Sequence, residues 1–258
     1  MTDVPTLLWR LFTAATVVFM ISPLIILVLF CFSENSLLIF PIKGLTIDWF
    51  LAVFDRSQFW AALENSLIVT GTVGVVSTTI GTMAALVLAR ATPRFANASL
   101  TLVTLPVMLP PLVLGIALLT GFSSAGVKLG LHTVILSHLV FTQPFVILIV
   151  YARMAHFDYS IVDSARDLGA SPLRVFFGIT LPLTRPTIIG AALIAMALSL
   201  DDFVVTFFTI GGGNTLPTFL WGMLRKAVTP QINVVAAVIM ALTITASLLA
   251  FRLSRYRG

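Results

Sequence analysis

The chain has 258 residues, of which 59% are hydrophobic and 10% are charged, and its mean hydropathy is +1.08. Soluble domains carry about a quarter charged residues, so this composition excludes an ordinary soluble domain. The apolar runs are continuous, which is typical of membrane-spanning helices and unlike the roughly ten-residue alternation of a transmembrane barrel strand.

Six apolar runs are long enough to cross the hydrocarbon core of a bilayer, which takes about 20 helical residues. They lie near residues 8–32, 61–89, 99–122, 131–152, 187–208 and 230–253. The first run, about 25 residues with no small-residue cleavage pattern after it, predicts a retained helix and not a signal peptide. We therefore predict an all-α integral membrane protein with six transmembrane helices, forming a single domain over residues 1–258.

The 15 lysines and arginines predict the orientation of the chain in the membrane. With a cytoplasmic N-terminus, ten fall on the cytoplasmic side, namely Arg10, Arg90, Arg94, Arg153, Arg166, Arg174, Arg185, Arg252, Arg255 and Arg257. Five fall on the other side, namely Lys43, Arg56, Lys128, Arg225 and Lys226. Because positive residues concentrate in cytoplasmic loops, we expect both termini in the cytoplasm. The pI of about 10.0 then reflects orientation and does not indicate a nucleic acid partner.

The second run carries small residues on one helical face. They are Gly71, Gly74, Thr78, Gly81 and Ala85, at offsets of three and four. Small faces let helices approach closely in lipid, so we expect this face to be buried against neighbouring helices.

The third run contains the sequence LPVMLPP, from Leu105 to Pro111, which places three prolines at membrane depth. Proline removes a backbone donor, and the carbonyl that it frees must be satisfied by other helices or by a water-lined cavity. The motif predicts an interrupted helix. A simple kink and a break that lines a pathway are both consistent with it.

The stretch from Asp163 to Pro186, DSARDLGASPLRVFFGITLPLTRP, is too charged to cross a bilayer and too apolar for a solvated loop. Ser160 and Asp163 have the spacing of a capping box, and Gly169 suits the left-handed residue after a helix. The pair Ser171 and Pro172 is typical of the start of a second helix. The pattern predicts a helix, a turn and a second helix.

We expect this second helix to end at Pro182, and each of the two helices to have an apolar face. The faces comprise Ile161, Ala165 and Leu168 on the first helix and Leu173, Phe176, Phe177 and Leu181 on the second. Asp163, Arg166 and Asp167 lie on the other flank, where they are available for ion pairs. Such a helix could rest on lipid, but the two acids and the sharp glycine turn favour a protein partner outside the membrane.

The same segment resembles the coupling motif of binding-protein-dependent ABC transporter permeases. That motif reads Glu-Ala-Ala, three residues, Gly, nine residues and Ile-x-Leu-Pro. The matching residues here are Asp163, Ser164, Ala165, Gly169, Ile179, Leu181 and Pro182. Asp replaces the family's Glu and Ser its first Ala, so a basic partner of the shorter acid would need to sit closer.

The resemblance implies a type I ABC importer permease architecture in a bacterial inner membrane. It also implies that a coupling loop at about 157–186, including Phe176 and Phe177, docks into a groove on the ATP-hydrolysing subunit. Its expected partners are an ATP-binding subunit dimer, a second and related permease subunit, a periplasmic solute-binding protein and membrane lipid. No nucleic acid partner is expected.

The chain lacks the usual ATP-binding motif, because none of its three lysines stands in a G-x-x-x-x-G-K-[ST] context. The lone Cys31 and the scattered histidines have no metal-ligand spacing. We therefore expect a non-catalytic transport subunit that binds no cofactor or metal, with ATP and Mg²⁺ held by the partner ATPase.

Asp201 and Asp202 lie in the fifth run, fifteen and sixteen residues beyond Pro186. That is roughly 22 Å along a helix, and ionisable groups at such a depth mark a pathway or a paired site. Adjacent helical residues point about 100° apart, so at most one carboxylate should face a central cavity while the other pairs with a neighbour. With Ser199, these residues are the predicted substrate pathway for a cationic cargo; a packing role for both aspartates is the alternative.

Three stretches resemble the polyamine branch of these permeases. They are SLDDFVVTFF from Ser199 to Phe208, TLP from Thr215 to Pro217, and MLRKAVTPQIN from Met223 to Asn233. The resemblance implies import of putrescine or spermidine. 4-Aminobutyrate, opines and aminophosphonates stay open as cargoes, because sister families share similar stretches.

Two other classes of function fit parts of the sequence. The stretch GFSSA from Gly121 to Ala125 is similar to the Gly-x-Ser element of a rhomboid-type protease. That enzyme needs a histidine base near its serine, and the only candidates are His132, His138 and His156. The first two are better interpreted as polar packing or interface groups. A secondary transporter would explain the intramembrane acids, but no pair of related halves is visible and the amphipathic segment would lack a role.

Overall fold

A computed structural model of the protein describes residues 4–255, with side chains described for residues 7–248. Arg257, which was counted for the orientation, and the extreme ends of the predicted domain lie outside this range. The described part of the chain contains thirteen helical segments. They are α1 (Val4–Cys31), α2 (Asp48–Phe54), α3 (Ser57–Leu88), α4 (Pro93–Met108), α5 (Pro111–Ser124), α6 (Leu131–Ala155), α7 (Ser160–Asp167), α8 (Pro172–Val175), a π-helical turn (Phe176–Thr180), α9 (Leu181–Asp201), α10 (Val204–Thr209), α11 (Leu216–Leu224) and α12 (Pro230–Arg255).

Five of the described helices are long and apolar enough to cross a membrane. They are Leu7–Cys31, Ser57–Leu88, Leu131–Ala155, Pro172–Asp201 and Pro230–Leu248. A sixth span results if α4 and α5, which meet at an angle of 99°, are counted as one interrupted helix. The all-α membrane architecture predicted from the apolar runs is therefore confirmed.

The interruption of the third run lies where its prolines predicted it. Leu109 and Pro110 have extended backbone between α4 and α5, and Pro111 begins the second segment. The Leu109 N–H turns back to the Pro106 carbonyl at 3.3 Å, which ends α4 in a tight turn.

The fifth run differs from its prediction at both ends. We expected one helix over residues 187–208, but α9 ends at Asp201 and α10 begins only at Val204. We also expected Pro182 to end the preceding helix, and that expectation is wrong, because the chain is helical from Pro172 through to Asp201. The π-helical turn explains the continuity: the Leu181 N–H bonds the Phe176 carbonyl, and this wider turn accommodates Pro182 and its missing donor.

The chain divides into two compact units, and the single-domain assignment remains a prediction. The first unit contains residues up to 60 and 219–241. Its loop after α1 is held by aromatic contacts such as Phe32 with Phe50, whose ring centroids are 5.1 Å apart. The indole N–H of Trp49 donates to the Ser33 carbonyl at 2.7 Å, so the loop folds back on the end of α1.

The second unit contains residues 61–218 and those from 242 onward, and α6 lies at its centre, packed on α9, α4 and α10. Its core includes Ala85, Val146, Val150, Met154, Ala191 and Ala195. A Cβ at Gly74 would lie 2.5 Å from Met196 Cγ, and one at Gly81 would lie 2.6 Å from Val146 Cγ1. The close packing predicted for the small face of α3 is confirmed at these two glycines, whereas Gly71 has open space beside it.

Candidate functional site: a coupling segment and a buried polar cluster

The predicted coupling loop at about 157–186 is called the coupling segment below. Its first helix is α7, whose N-terminus is capped differently from the prediction. The Ser160 N–H donates to Asp158 Oδ1 at 3.0 Å, and hydrogen bonding from the Ser160 side chain and backbone holds the pKa of the Asp158 carboxyl below its usual value. The Asp163 N–H bonds the Tyr159 carbonyl, so the predicted capping box between Ser160 and Asp163 is wrong. Asp158 lies two residues before Ser160, the first residue of α7, and an Asp at this spacing can accept that backbone N–H. The predicted capping box did not take this signal into account.

The turn after α7 follows the predicted chemistry. Gly169 has φ +83°, the left-handed conformation that favours glycine. The Ala170 N–H returns to the Ala165 carbonyl at 3.0 Å, as at a glycine-terminated helix end. Ser171 Oγ then accepts the Arg174 N–H at 3.4 Å, and Pro172 is the first residue of α8.

Two valines attach the segment to the second unit. Val162 is 1% exposed and Val175 is 3% exposed, and both belong to the same core cluster as Met154 and Ala191. Neither valine was on the apolar faces predicted from the sequence. The segment therefore has a fixed position relative to α6 and α9, because its short helices are bound to them by buried side chains.

The predicted apolar faces are largely exposed. Leu168 is 89% exposed, Leu173 71%, Phe177 63% and Ile161 44%, and these four residues are called the coupling surface below. Of the other predicted coupling residues, Ala165, Phe176, Ile179 and Leu181 are half-buried, while Asp163, Ser164, Gly169 and Pro182 are exposed. These four side chains have no covering partner among the described residues and stand next to exposed acids and bases, so the surface is suited to docking on another protein.

A buried polar cluster connects α6 to the interruption between α9 and α10. His138, 1% exposed, places Nδ1 2.8 Å from Ser199 Oγ and Nε2 2.8 Å from Thr206 Oγ1. Nε2 also lies 3.4 Å from Asp202 Oδ2. The carboxylate of Asp202 accepts the Thr206 N–H at 2.8 Å, so it caps α10.

The two aspartates therefore have different surroundings. Asp202 adopts an extended backbone, with ψ 119°, and its side chain is 13% exposed, whereas Asp201 is the last residue of α9 and is exposed. The premise that both lie on one continuous helix is wrong. Asp202 pairs with a neighbouring helix as expected, whereas the expectation that the other carboxylate faces a central cavity stays a prediction. Ser199, the third predicted pathway residue, is buried and directed at His138.

Sequence reasoning gave His138 and Thr206 no role at this site. His138 was interpreted as a packing or interface group, and an ionisable residue in an apolar run calls for a named partner. The contact spans 61 residues to Ser199 and 68 to Thr206, so no local pattern could supply it. The serines of GFSSA are elsewhere: Ser124 donates to the Thr120 carbonyl at 2.7 Å, while His138 bonds Ser199 and Thr206.

The two interrupted helices lie against each other, since α5 packs on α10 within the second unit. Non-helical backbone at membrane depth is tolerated only where it is buried in protein or lines a cavity. Many secondary transporters place their substrate sites at such interruptions. Within residues 4–255, no group of three or more His, Cys, Asp or Glu side chains could hold a metal ion.

Comparisons with known proteins identify transport proteins of the inner membrane as relatives of this chain. Residues 77–256 match the family described as the binding-protein-dependent transport system inner membrane component. The putrescine transport system permease protein PotI of Escherichia coli K12 is 33% identical over 230 residues, which cover 86% of this chain and 82% of that protein. The spermidine/putrescine transport system permease protein PotC of the same strain is 30% identical over 239 residues, which cover 90% of this chain and 88% of the relative.

Solved structures are similar in fold at lower identity. A chain of a bacterial ABC transporter that imports the acidic polysaccharide alginate aligns with a TM-score of 0.71 and 19% identity, over 98% of this chain and 93% of that one. The same kind of transporter was solved with an alginate pentasaccharide-bound periplasmic protein, also with a TM-score of 0.71, at 18% identity over 96% and 94% of the two chains. A chain of the inward-facing MetNI methionine ABC transporter aligns at 0.66 and 17% identity, over 79% and 99%.

Proposed function

Because the chain belongs to the family of binding-protein-dependent transport system inner membrane components, we propose that it is the permease subunit of an ATP-driven importer of putrescine or spermidine. It is a multi-pass inner membrane protein. The ten-to-five distribution of its basic residues supports cytoplasmic termini.

The observation that carries the coupling role is the coupling surface on an anchored helix pair. Val162 and Val175 fix the pair to the core, while Leu168, Leu173 and Phe177 are exposed. A rigid apolar projection of this kind can enter a groove on an ATP-binding subunit and transmit its movement to α9, with which α8 is continuous through the π-helical turn. ATP and Mg²⁺ would then belong to that partner, and this chain would do no catalysis itself.

The remaining partners follow from the architecture. The alginate transporter with the same fold was solved in complex with a periplasmic protein that carries the bound sugar. This supports delivery of cargo to the present chain by a solute-binding protein. A second permease subunit would enclose the pathway together with this one, in contact with membrane lipid. Closure of the ATPase dimer would move both coupling segments and switch access from outside to inside.

The cargo pathway is assigned to the interruption after α9. The exposed carboxylate of Asp201 is suited to an ammonium group, because charge-assisted hydrogen bonds are among the strongest available to a diamine. Asp202 and Ser199 would support the pathway from inside the protein, through their contacts with His138 and Thr206.

Reconstituted transport tests this function. The chain is purified with the ATP-binding, permease and binding-protein subunits encoded beside it, and the complex is placed in liposomes. We expect ATP-dependent uptake of labelled putrescine or spermidine that requires the binding protein and persists when proton and sodium gradients are collapsed. Uptake driven by such a gradient without ATP would contradict the proposal.

The choice of cargo has its own control. 4-Aminobutyrate, which carries no net charge near neutral pH, is offered to the same liposomes at the same concentration. Preferential uptake of the polyamine supports a role for the exposed carboxylate. Uptake of 4-aminobutyrate alone would retain the permease function and assign Asp201 to structure.

A further inference from the structure

The geometry assigns to His138 a positioning role: we propose that it holds Asp202 inside the protein at the helix interruption, so that Asp201 is the carboxylate left for cargo. The part that concerns cargo rests on the function proposed above. His138 is on α6, whereas Ser199, the two aspartates and Thr206 are on α9 and α10 or between them, so the histidine acts from a neighbouring helix.

One assignment of hydrogens satisfies every side chain of the cluster. The Ser199 hydroxyl donates to Nδ1 of a neutral His138, and Nε2–H donates to Thr206 Oγ1. The Thr206 hydroxyl in turn donates to Asp202 at 3.1 Å. The imidazole is therefore joined to the carboxylate by hydrogen bonds through one hydroxyl, and its Nε2 also lies 3.4 Å from Asp202 Oδ2.

The interruption depends on these contacts. α10 has six residues and is too short to be stable alone. Its N-terminus is capped by the Asp202 carboxylate, which accepts the Thr206 N–H at 2.8 Å. His138 packs on the same carboxylate and hydroxyl, so removing the imidazole takes away the contact from α6 that restrains the cap.

Orientation of the carboxylates follows from this restraint. With Asp202 turned inward to cap α10, Asp201 at the end of α9 has no hydrogen-bonding partner among the described residues that competes with cargo, and it is exposed. Without His138, the Asp202 side chain is free to turn outward, and the two acids become similar. The histidine thus distinguishes two chemically identical neighbours.

The first experiment measures the network without reference to transport. Melting temperatures of the intact transporter complex are compared for His138→Leu, Asp202→Asn and the double variant. We expect both single variants to lower Tm and the double variant to lose little more than the larger single loss, because contacting residues are not additive. His138→Gln, which keeps a donor and an acceptor on one planar group, should recover part of the loss. His132→Gln, an exposed histidine on the same helix, is the control and should leave Tm unchanged.

The second experiment measures the difference between the carboxylates. In the parent protein, which retains His138, Asp201→Asn should raise the KM for putrescine by about tenfold, as expected for loss of one hydrogen bond to a charged group. Asp202→Asn should raise it less. In a His138→Gln background the ranking should be kept, and in a His138→Leu background the two effects should become equal within about twofold.

The outcomes separate the inference from the function on which it rests. Additive Tm losses, or an unchanged ranking of the two KM effects in His138→Leu, would overturn the role of His138. A different outcome is that Asp201→Asn in the parent protein leaves KM unchanged while the Tm losses remain non-additive. In that case the assignment of Asp201 to the cargo pathway fails, and the structural restraint of His138 on Asp202 stands.

Discussion

Gly115 on α5 lies against the ring of Phe208 on α10, so that a Cβ at position 115 would be 2.8 Å from Phe208 Cδ2. α5 follows the interruption at Leu109 and Pro110, and α10 follows the interruption at Asp202. A residue without a side chain thus lets two segments that each begin at an interrupted helix approach closely.

We expect Gly115→Val to destabilise the protein by about 1–3 kcal/mol, because the added methyl groups overpack the contact with Phe208. Gly121→Val on the same helix is a matched control, since a Cβ there would have no atom within 4 Å. Thermal unfolding in detergent compares the two. Equal losses would show that the β-branched residue, and not the contact with α10, is responsible.

Because the coupling surface is exposed, we expect a substitution there to reduce ATPase stimulation without reducing thermal stability. Leu173→Asp changes a residue that is 71% exposed, so Tm should hold while cargo-stimulated ATP hydrolysis falls about tenfold through loss of an apolar anchor. Val175→Asp, two residues away and 3% exposed, should instead destabilise the chain by about 3 kcal/mol or more by burying a charge. ATPase assays and melting curves on both variants give the comparison. Full stimulation in Leu173→Asp would argue against docking at this surface.

Gly169→Ala should cost about 1 kcal/mol, because its φ of +83° is strained for any residue with a Cβ. There is open space beside this glycine, so steric contact adds nothing to the cost. Gly178→Ala, also with open space and without a positive φ, should not show this penalty. Melting temperatures of the two variants test the conformational origin of the effect, and a larger loss at position 178 would contradict it.

We expect the stabilising effect of Asp158 at the start of α7 to depend on pH. Its pKa is lowered by the hydrogen bonds from Ser160, so the ionised carboxylate stabilises the folded protein above the ordinary pKa of Asp, about 3.9, and this stabilisation is lost as pH falls through the lowered value. Asp158→Ala should therefore reduce Tm at neutral pH, and the difference from the parent should vanish in acid. Asp167→Ala, at the other end of α7, is the control. A difference that is independent of pH would exclude the cap as its cause.

Local chemistry in the sequence was sufficient for several features. Long apolar runs predicted the spans, because a helix satisfies its own backbone in lipid. The prolines from Leu105 to Pro111 predicted an interruption, and Gly169 with Ser171 and Pro172 predicted the turn of the coupling segment. Each of these depends on the backbone preferences of a few consecutive residues, so no knowledge of neighbours in space was needed.

Tertiary structure decided the features that depend on distant partners. Pro182 does not end its helix, because a wide turn before it removes the conflict. Val162 and Val175 are buried in place of the predicted apolar faces, because α6 and α9 determine which side of a short helix is covered. The end of α9 at Asp201 has no proline or glycine to announce it. His138, more than 60 residues away in the chain, contacts Ser199 and Asp202 at this end of α9, and only packing of α6 against α9 and α10 brings its side chain there.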